Sequence, residues 1–350
     1  MSYAVVMATR GITLLRGSVR ALAEMALRAE QNGFSSAWTP EFYTRSGIVS
    51  LAAMASATAR VRVGSSIAYA SGRSPLTLAT EARSLDELSA GRLTLGLGFG
   101  TKRMMSDWHG LEPEAPAVRM EELVGLLRKL WRLHEGPVQH DGRFYRLHLQ
   151  PTAEVAPPVR PDIPVFTAGV NPRMIQTAGR VADGLLGHPL FSRSYVDDVV
   201  RPAIDAGRTH ADRQNAPVEL VGIVICAISD DADQARREAA AQLAFYAAPK
   251  TYAGVLDAVG FGDVGDPVRA ALGAGDHAAM AAAVPNAMVE AMAAAGTADE
   301  VRARLAEAER IYDHVVVYPP SFGLTEERCD ELAGLLIDEL APRSEVVEHA

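Results

Sequence analysis

Short apolar and β-branched runs alternate along the chain with longer segments whose apolar residues recur at helical spacing. Strands are predicted at residues 3–7, 35–38, 61–67 and 92–96, with helices at about 18–32, 50–57, 75–88 and 118–134, so four βα units fill the first 135 residues. Four more strands, at 164–168, 184–187, 218–228 and 314–317, are each followed by helix-forming sequence. Eight βα units in succession specify an α/β fold of the TIM (β/α)8 barrel type. Gly33, Gly91 and Gly184 fall where αβ loops call for a left-handed residue after a helix.

Two stretches exceed a minimal barrel. Residues 136–159 contain VQHDGRFYRLHL, a hairpin pattern with Asp141-Gly142 as its turn, and residues 249–296 form an alanine-rich helical insertion. Both are expected in βα loops, the longer one near the barrel mouth as a lid or pocket wall. No Pro, Gly or Ser-rich linker divides the chain, so residues 1–350 read as one domain.

Composition narrows the class. With 48% hydrophobic and 22% charged residues, the chain can bury a large core, which excludes disorder as its main character. A formal charge of −9, from 43 acidic and 34 basic residues, argues against a nucleic-acid partner. Cys226 and Cys329 lie far apart in apolar surroundings, as expected of buried thiols in a reducing compartment, and a cytoplasmic location follows as the expectation. The apolar run 3–8 is too short for a secretory core, and the longest apolar stretch, 221–228, is far below the ~20 residues of a membrane span. Neither export nor membrane insertion is expected.

Two glycine-rich stretches are candidates for chemistry. LGLGFGTKR, residues 95–103, follows a strand but fails the dinucleotide fingerprint, because its third glycine is Gly100 where the spacing requires position 101. It reads either as a tight βα loop or as a strand end whose missing side chains let a flat ring lie on the backbone. TAGVNPRMIQTAGRVADG, residues 167–184, reads as strand, glycine loop and helix, with Asn171 at the helix start and Pro172 in its first turn. The open N–H groups there suit a phosphate, and Arg173 could add a charged bond; the plain alternative is an N-cap beside a surface arginine. The nine histidines include no His-x-x-x-His pair, neither cysteine has a ligand neighbour, and there is no Gly-x-Ser-x-Gly elbow or Walker sequence. No metal centre is expected. A barrel holding a phosphate-bearing ring remains.

WTPEF at 38–42, GSSIAYASGRSPLTLA at 64–79, LDELSAGRLTLGLGFG at 85–100 and AGVNPRMIQTAGRVADGLLGHP from 168 together resemble the bacterial luciferase-like superfamily, specifically its oxidoreductases dependent on coenzyme F420. The likeness continues through RMEELVGLLRKLWR, GRFYRLHL and LAFYAAPKTYAGVLDAVGF, the last resembling an actinobacterial subgroup. The resemblance implies hydride transfer between reduced F420 and a small organic substrate with a C=C, C=N or carbonyl group. Its alternatives are an FMNH2-dependent monooxygenase using oxygen, with FMN as cofactor, and a non-catalytic relative that only binds flavin or deazaflavin. It further implies a non-prolyl cis peptide at Ser66-Ile67 beside Ser65, a fourth-strand cofactor contact at Gly98, Phe99 and Gly100, and a phosphate loop at Gly169, Val170 and Asn171. The family's sugar-phosphate dehydrogenases carry Asp-His after the second strand; here the pair is Glu41-Phe42, so that mechanism does not transfer. Glu41 is left as an acid, a bond to the ring edge, or an ion-pair partner of Arg45 or Arg73. His188, at the end of the sixth strand, is the second catalytic candidate, with Tyr69 and His109 behind it. The family's habit of pairing through its second and third helices makes a homodimer the expected assembly, and the small apolar segment 51–59 suits close helix approach.

Overall fold

The computed structural model describes residues 9–342. Eight parallel strands close into a barrel: β1 (Thr9–Thr13), β2 (Ser36–Thr39), β3 (Arg62–Ser65), β4 (Leu93–Gly98), β5 (Val165–Ala168), β6 (Gly184–Leu186), β7 (Glu219–Ile228) and β8 (His314–Tyr318). β7 pairs with both β6 and β8, and β8 with β1, which closes the ring. The strand expected at 3–7 lies outside the described residues; its place beside the second strand is taken by β1, a few residues later.

Around the barrel run α1 (Val19–Gln31), α2 (Gly47–Ala57), α3 (Pro75–Leu88), α4 (Pro116–Trp131), α5 (Pro172–Val181) and α6 (Arg201–His210), and later α8 (Ala298–Ala308) and α9 (Glu326–Glu339). The first three begin at serines whose hydroxyls accept from the first turn, Ser18, Ser46 and Ser74, each such cap contributing about 1 kcal/mol. Between α6 and α8 lies α7 (Ala232–Ala247), followed by short helices and a further parallel strand, Ala293–Gly296, paired to the far half of β7. The segment 249–296, expected to be helical throughout, ends in a strand, because the alanine and glycine residues 293–296 continue the barrel sheet instead of the helical run.

The hairpin, Val138–Asp141 against Arg146–Leu149, lies between α4 and β5. That is an αβ connection, which corrects the expectation of a βα loop. It packs on α4, where the Glu122 carboxylate accepts from the Phe144 and Tyr145 N–H groups and faces His140 at 3.0 Å.

Trp38, Phe166, Leu186, Val221 and Val316 fill the barrel interior. Two glycines make this possible: a Cβ on Gly64 would come within 2.3 Å of the Trp38 ring, and one on Gly184 within 2.7 Å of Phe166. Gly33 and Gly91 do hold the left-handed conformation, with φ of 87° and 80°, whereas Gly184 is required by ring packing and not by a positive φ. Below this layer the His314 ring sits between Thr9 Oγ1 at 2.7 Å and Ser36 Oγ at 2.6 Å, and Arg62 closes the N-terminal end with two 2.8 Å bonds to Glu219. The interior is thus closed from below by His314 and the Arg62–Glu219 pair, and in barrels of this type functional residues gather at the C-terminal ends of the strands.

Candidate active site

β3 does not end cleanly. Val63 and Gly64 pair with Leu93 and Thr94, and Ala68 and Tyr69 with Leu97 and Gly98, so four residue steps oppose three on β4. The extra residue makes a bulge, and it contains a cis peptide at Ser66-Ile67. A Cβ on Gly96 would fall 1.9 Å from the Ser65 carbonyl oxygen, and one on Gly98 2.4 Å from Ile67 Cδ1. The glycines of the LGLGFG stretch therefore accommodate the bulge, which corrects the reading in which their missing side chains receive a flat ring directly.

The bulge sorts the candidate cofactor contacts. Ser65 is fully buried and exchanges two bonds with Gly96, its Oγ donating to the carbonyl at 2.8 Å and accepting from the N–H at 2.9 Å, so it turns away from the cleft. Ile67 packs on the barrel interior, while Ser66 Oγ and Thr13 Oγ1 are buried without a partner among the described residues. Thr13 shares a strand face with Gly11, which meets His314 inside the barrel. Phe99 is buried in the layer between strands and helices, leaving its backbone at the mouth, and Gly100 turns with φ of 68° toward Met104.

Glu41 follows β2 and holds the bulge twice. Its N–H donates to the Ile67 carbonyl at 2.9 Å, and its Oε2 accepts from the Tyr69 N–H at 2.9 Å. Arg73 then grips both carboxylate oxygens at 2.7 and 2.6 Å, while its Nε lies 2.6 Å from Glu81 on α3. Burial by itself would raise the Glu41 pKa, but the Arg73 guanidinium and the Tyr69 N–H outweigh it and hold the carboxyl below its ordinary value. Of the roles the sequence left open, the geometry realises the ion pair, with Arg73 as the partner. Arg45 instead donates to the carbonyls of Leu15 and Gly17, tying the β1 and β2 loops together.

His188 lies just beyond β6. Its ring stands 4.9 Å from Tyr246 and 4.5 Å from Tyr252, centroid to centroid. Desolvation pushes its pKa down to about 3, so the imidazole is neutral at physiological pH. Nδ1 accepts from the Leu190 N–H at 3.2 Å, which assigns the proton to Nε2. His188 can donate a hydrogen bond but holds no spare proton.

The Gly169-Val170-Asn171 loop leads into α5. The Val170 carbonyl accepts from Tyr195 Oη at 2.7 Å and Asn171 makes no side-chain cap; Pro172 carries no N–H and the Met174 N–H donates to the Asn171 carbonyl at 2.9 Å, so the N–H groups open to an anion are those of the Gly169 to Asn171 loop and of Arg173, with no acidic residue in the first turn. Arg173, expected to assist there, is drawn to Glu121 at 2.8 Å, a carboxylate that also faces Arg180.

Two further mouth residues, Tyr246 and Tyr318, are not singled out by the sequence as site residues. Tyr246, on α7, donates from its hydroxyl to Tyr318 Oη at 2.9 Å. Tyr318 closes β8, on the same strand face as His314 and Val316, and that alternation in HVVVY is the signal that could have placed it at the mouth. On the opposite rim Trp108 meets Phe42 and Tyr43 edge-to-face at 5.3 Å, centroid to centroid, with Phe42 and Tyr43 tilted against each other at 4.3 Å, and Tyr69 meets both Trp108 and His109. A cavity of about 400 Å³ opens at the N-terminal face. Three of its four arginines are committed, Arg62 to Glu219, Arg160 to Asp86, and Arg92 to the Ala55, Thr58, Val61 and Ser89 carbonyls, while Arg60 is exposed, 3.9 Å from Glu30. Among the described residues no cluster of His, Cys, Asp or Glu is placed to hold a metal, and no helix is long and apolar enough to cross a membrane.

With this geometry in place, comparison with known proteins is informative. The family model described as luciferase-like monooxygenase matches residues 1–314. A 5,10-methylenetetrahydromethanopterin reductase of Archaeoglobus fulgidus is 28% identical over 316 residues, covering 87% of this chain and 91% of its own. The solved coenzyme F420 dependent tetrahydromethanopterin reductase of Methanopyrus kandleri superimposes with a TM-score of 0.77 at 26% identity, covering 96% of this chain and all of its own. The oxygenating constituent of 3,6-diketocamphane monooxygenase from Pseudomonas putida, solved with FMN, shares the fold with a TM-score of 0.66 at 14% identity, covering 97% and 99%.

The Glu41 contacts generate a pH prediction. A carboxyl whose folded pKa lies below its unfolded value of about 4.5 stabilises the fold above that value, and the contribution is lost as the pH falls through the folded pKa. Glu41→Gln should therefore cost about 1–3 kcal/mol at pH 7, and the gap to the parent should narrow as the pH falls below the ordinary carboxyl range, read by urea unfolding across pH. An equal gap at pH 7 and pH 3 would show that the charge plays no part.

Proposed function

Because the chain belongs to the luciferase-like monooxygenase family, we propose that it is an oxidoreductase of the F420-dependent branch, transferring hydride between reduced deazaflavin and a small organic substrate. The observation that carries this reading is the near-complete superposition on the Methanopyrus kandleri reductase, with the bulge at 66–67 and the open α5 start both at the C-terminal face.

The residues at the mouth fit such a cofactor. Buried, unpartnered hydroxyls at Thr13 and Ser66 call for polar atoms above them, as the carbonyl-bearing edge of a deazaflavin provides, and Ile67 and Val170 offer apolar contact. When bound, the cofactor supplies the hydride and its electron pair. The chain supplies the rest. Ser66 and Ile67 back the ring, the N–H groups of Gly169, Val170 and Asn171 hold a phosphate, and Glu41 with Arg73 fixes the bulge without itself moving a proton. α7 and the segment after it cross the mouth through Tyr246 and Tyr252, which restricts water access from that side. The FMN-bound monooxygenase of the same fold supports a second reading, in which FMN occupies the same face and the reduced flavin reacts with oxygen.

We further propose a homodimer through α2 and α3, whose Val49, Leu76 and Leu88 side chains are exposed in the single chain. Light scattering at micromolar concentration should give twice the chain mass; a monomer mass would reject the pairing.

Anaerobic titration followed by protein fluorescence should show F420 bound at least ~10-fold more tightly than FMN, with turnover of reduced F420 consuming no oxygen. Tighter FMN binding with oxygen uptake would replace this reading by the monooxygenase one. Stoichiometric F420 binding with no turnover of enones, imines or ketones would mark a non-catalytic relative.

A further inference from the structure

The mouth contains one hydroxyl pair that the contacts above leave without a task. Tyr318 ends β8 on the strand face that carries His314 and Val316, one step above the barrel interior, and packs half-buried beneath α7 together with Tyr246 and Tyr252. Tyr246 reaches it from α7, and Tyr246 is the donor in their 2.9 Å bond. The Tyr318 proton therefore points elsewhere, and among the described residues it meets no acceptor. A hydroxyl that accepts one hydrogen bond donates the next more strongly, so Tyr246 polarises Tyr318.

The surroundings keep the pair neutral. Tyr246 is walled by His188, Tyr252 and Phe245, and Gln242 on the same helix accepts from the Ser321 and Phe322 N–H groups, holding α7 over the end of β8. Burial raises the pKa of both tyrosines; Arg16, beyond β1, and the bond from Tyr246 lower Tyr318 in part without reversing the shift. Glu41, the carboxylate described at the mouth, is fully engaged by Arg73 and Tyr69. Among the described residues the pair is thus surrounded by neutral donors, with the Arg16 cation beyond β1 and no carboxylate acting on it, an arrangement suited to an oxygen that gains negative charge during reaction.

We propose that Tyr318 Oη binds the carbonyl oxygen of the substrate and is the proton donor to it, with Tyr246 as the positioning residue behind it, so that the substrate class is a ketone, aldehyde or enone. This rests on the hydride-transfer reading above. In balance, hydride adds to the carbonyl carbon or to the β-carbon of an enone, and the π electron pair moves onto oxygen. That oxygen takes the Tyr318 proton, forming an alcohol or enol. Tyr318 recovers a proton from Tyr246 along their shared bond, and Tyr246 from water. The substrate gains one hydride and one proton, and the reduced deazaflavin is the two-electron donor.

A phenolate mimics the developing oxyanion and needs no turnover. 4-Nitrophenol at pH 8 should bind the full-length protein, with and without F420, as measured by calorimetry, and produce a far-downfield proton resonance from a short O–H···O⁻ bond. Tyr318→Phe should weaken binding by ~10-fold or more and abolish the resonance, as expected for loss of a bond to a charged group. Tyr246→Phe should retain the resonance but move it upfield, with ~3-fold weaker binding. Tyr43→Phe, on the exposed rim, should change neither. Absence of binding to the parent, or unchanged binding by Tyr318→Phe, would overturn the assignment. Failure of F420 itself to bind would instead count against the hydride-transfer reading, since the phenolate is titrated in both states.

Discussion

One carboxylate organises the mouth of this barrel. Glu41 could have been its acid, and it is instead spent on structure: two bonds from Arg73, one from the Tyr69 N–H, and a main-chain bond to Ile67. The bulge needs such an anchor, because the residue that β4 cannot pair leaves backbone groups off the ladder that must find partners. By keeping the charge paired inside the protein, the fold avoids an isolated buried carboxylate, which would neutralise itself or destabilise the site. Arg73 extends the same constraint to Glu81, linking the loops of the mouth to α3 and so to the face proposed for dimerisation.

From that anchor the chemistry of the cleft follows. Once its carboxylate is locked and its histidine held neutral, the groups left to face a substrate are hydroxyls and an imidazole N–H. Such a site stabilises charge that appears on oxygen and is poorly equipped to abstract a proton from carbon. This matches reduction by hydride better than a mechanism that begins with a strong base. In the proposed reaction the donors stand on β8 and α7, so Phe42 is not required to move a proton.

The barrel was legible in the sequence because strand and helix periodicities differ and alternate eight times, and α3 even begins and ends where the pattern places it. The errors came where local pattern is silent. Residues 293–296 are alanine and glycine, composition that reads as helix until β7 offers a free edge. The hairpin was visible from Asp141-Gly142, but its side of the barrel depends on counting which element precedes it. In the site, the bulge and the α5 loop came through resemblance, whereas the fate of Glu41 depended on which arginine lay in reach, a tertiary fact. Tyr246 and Tyr318 are 72 residues apart, and no spacing rule could pair them.

The proposed reading puts a deazaflavin at the C-terminal mouth, braced by the Glu41–Arg73 pair. A crystal structure with F420 tests it most directly. The ring should rest against Ser66 and Ile67 with the Glu41 and Arg73 bonds intact, and its phosphate should receive N–H groups from the Gly169 to Asn171 loop. A ligand seated instead in the N-terminal cavity among Arg60, Arg62 and Arg160, or a Glu41 released from Arg73 to bond the ring, would contradict it.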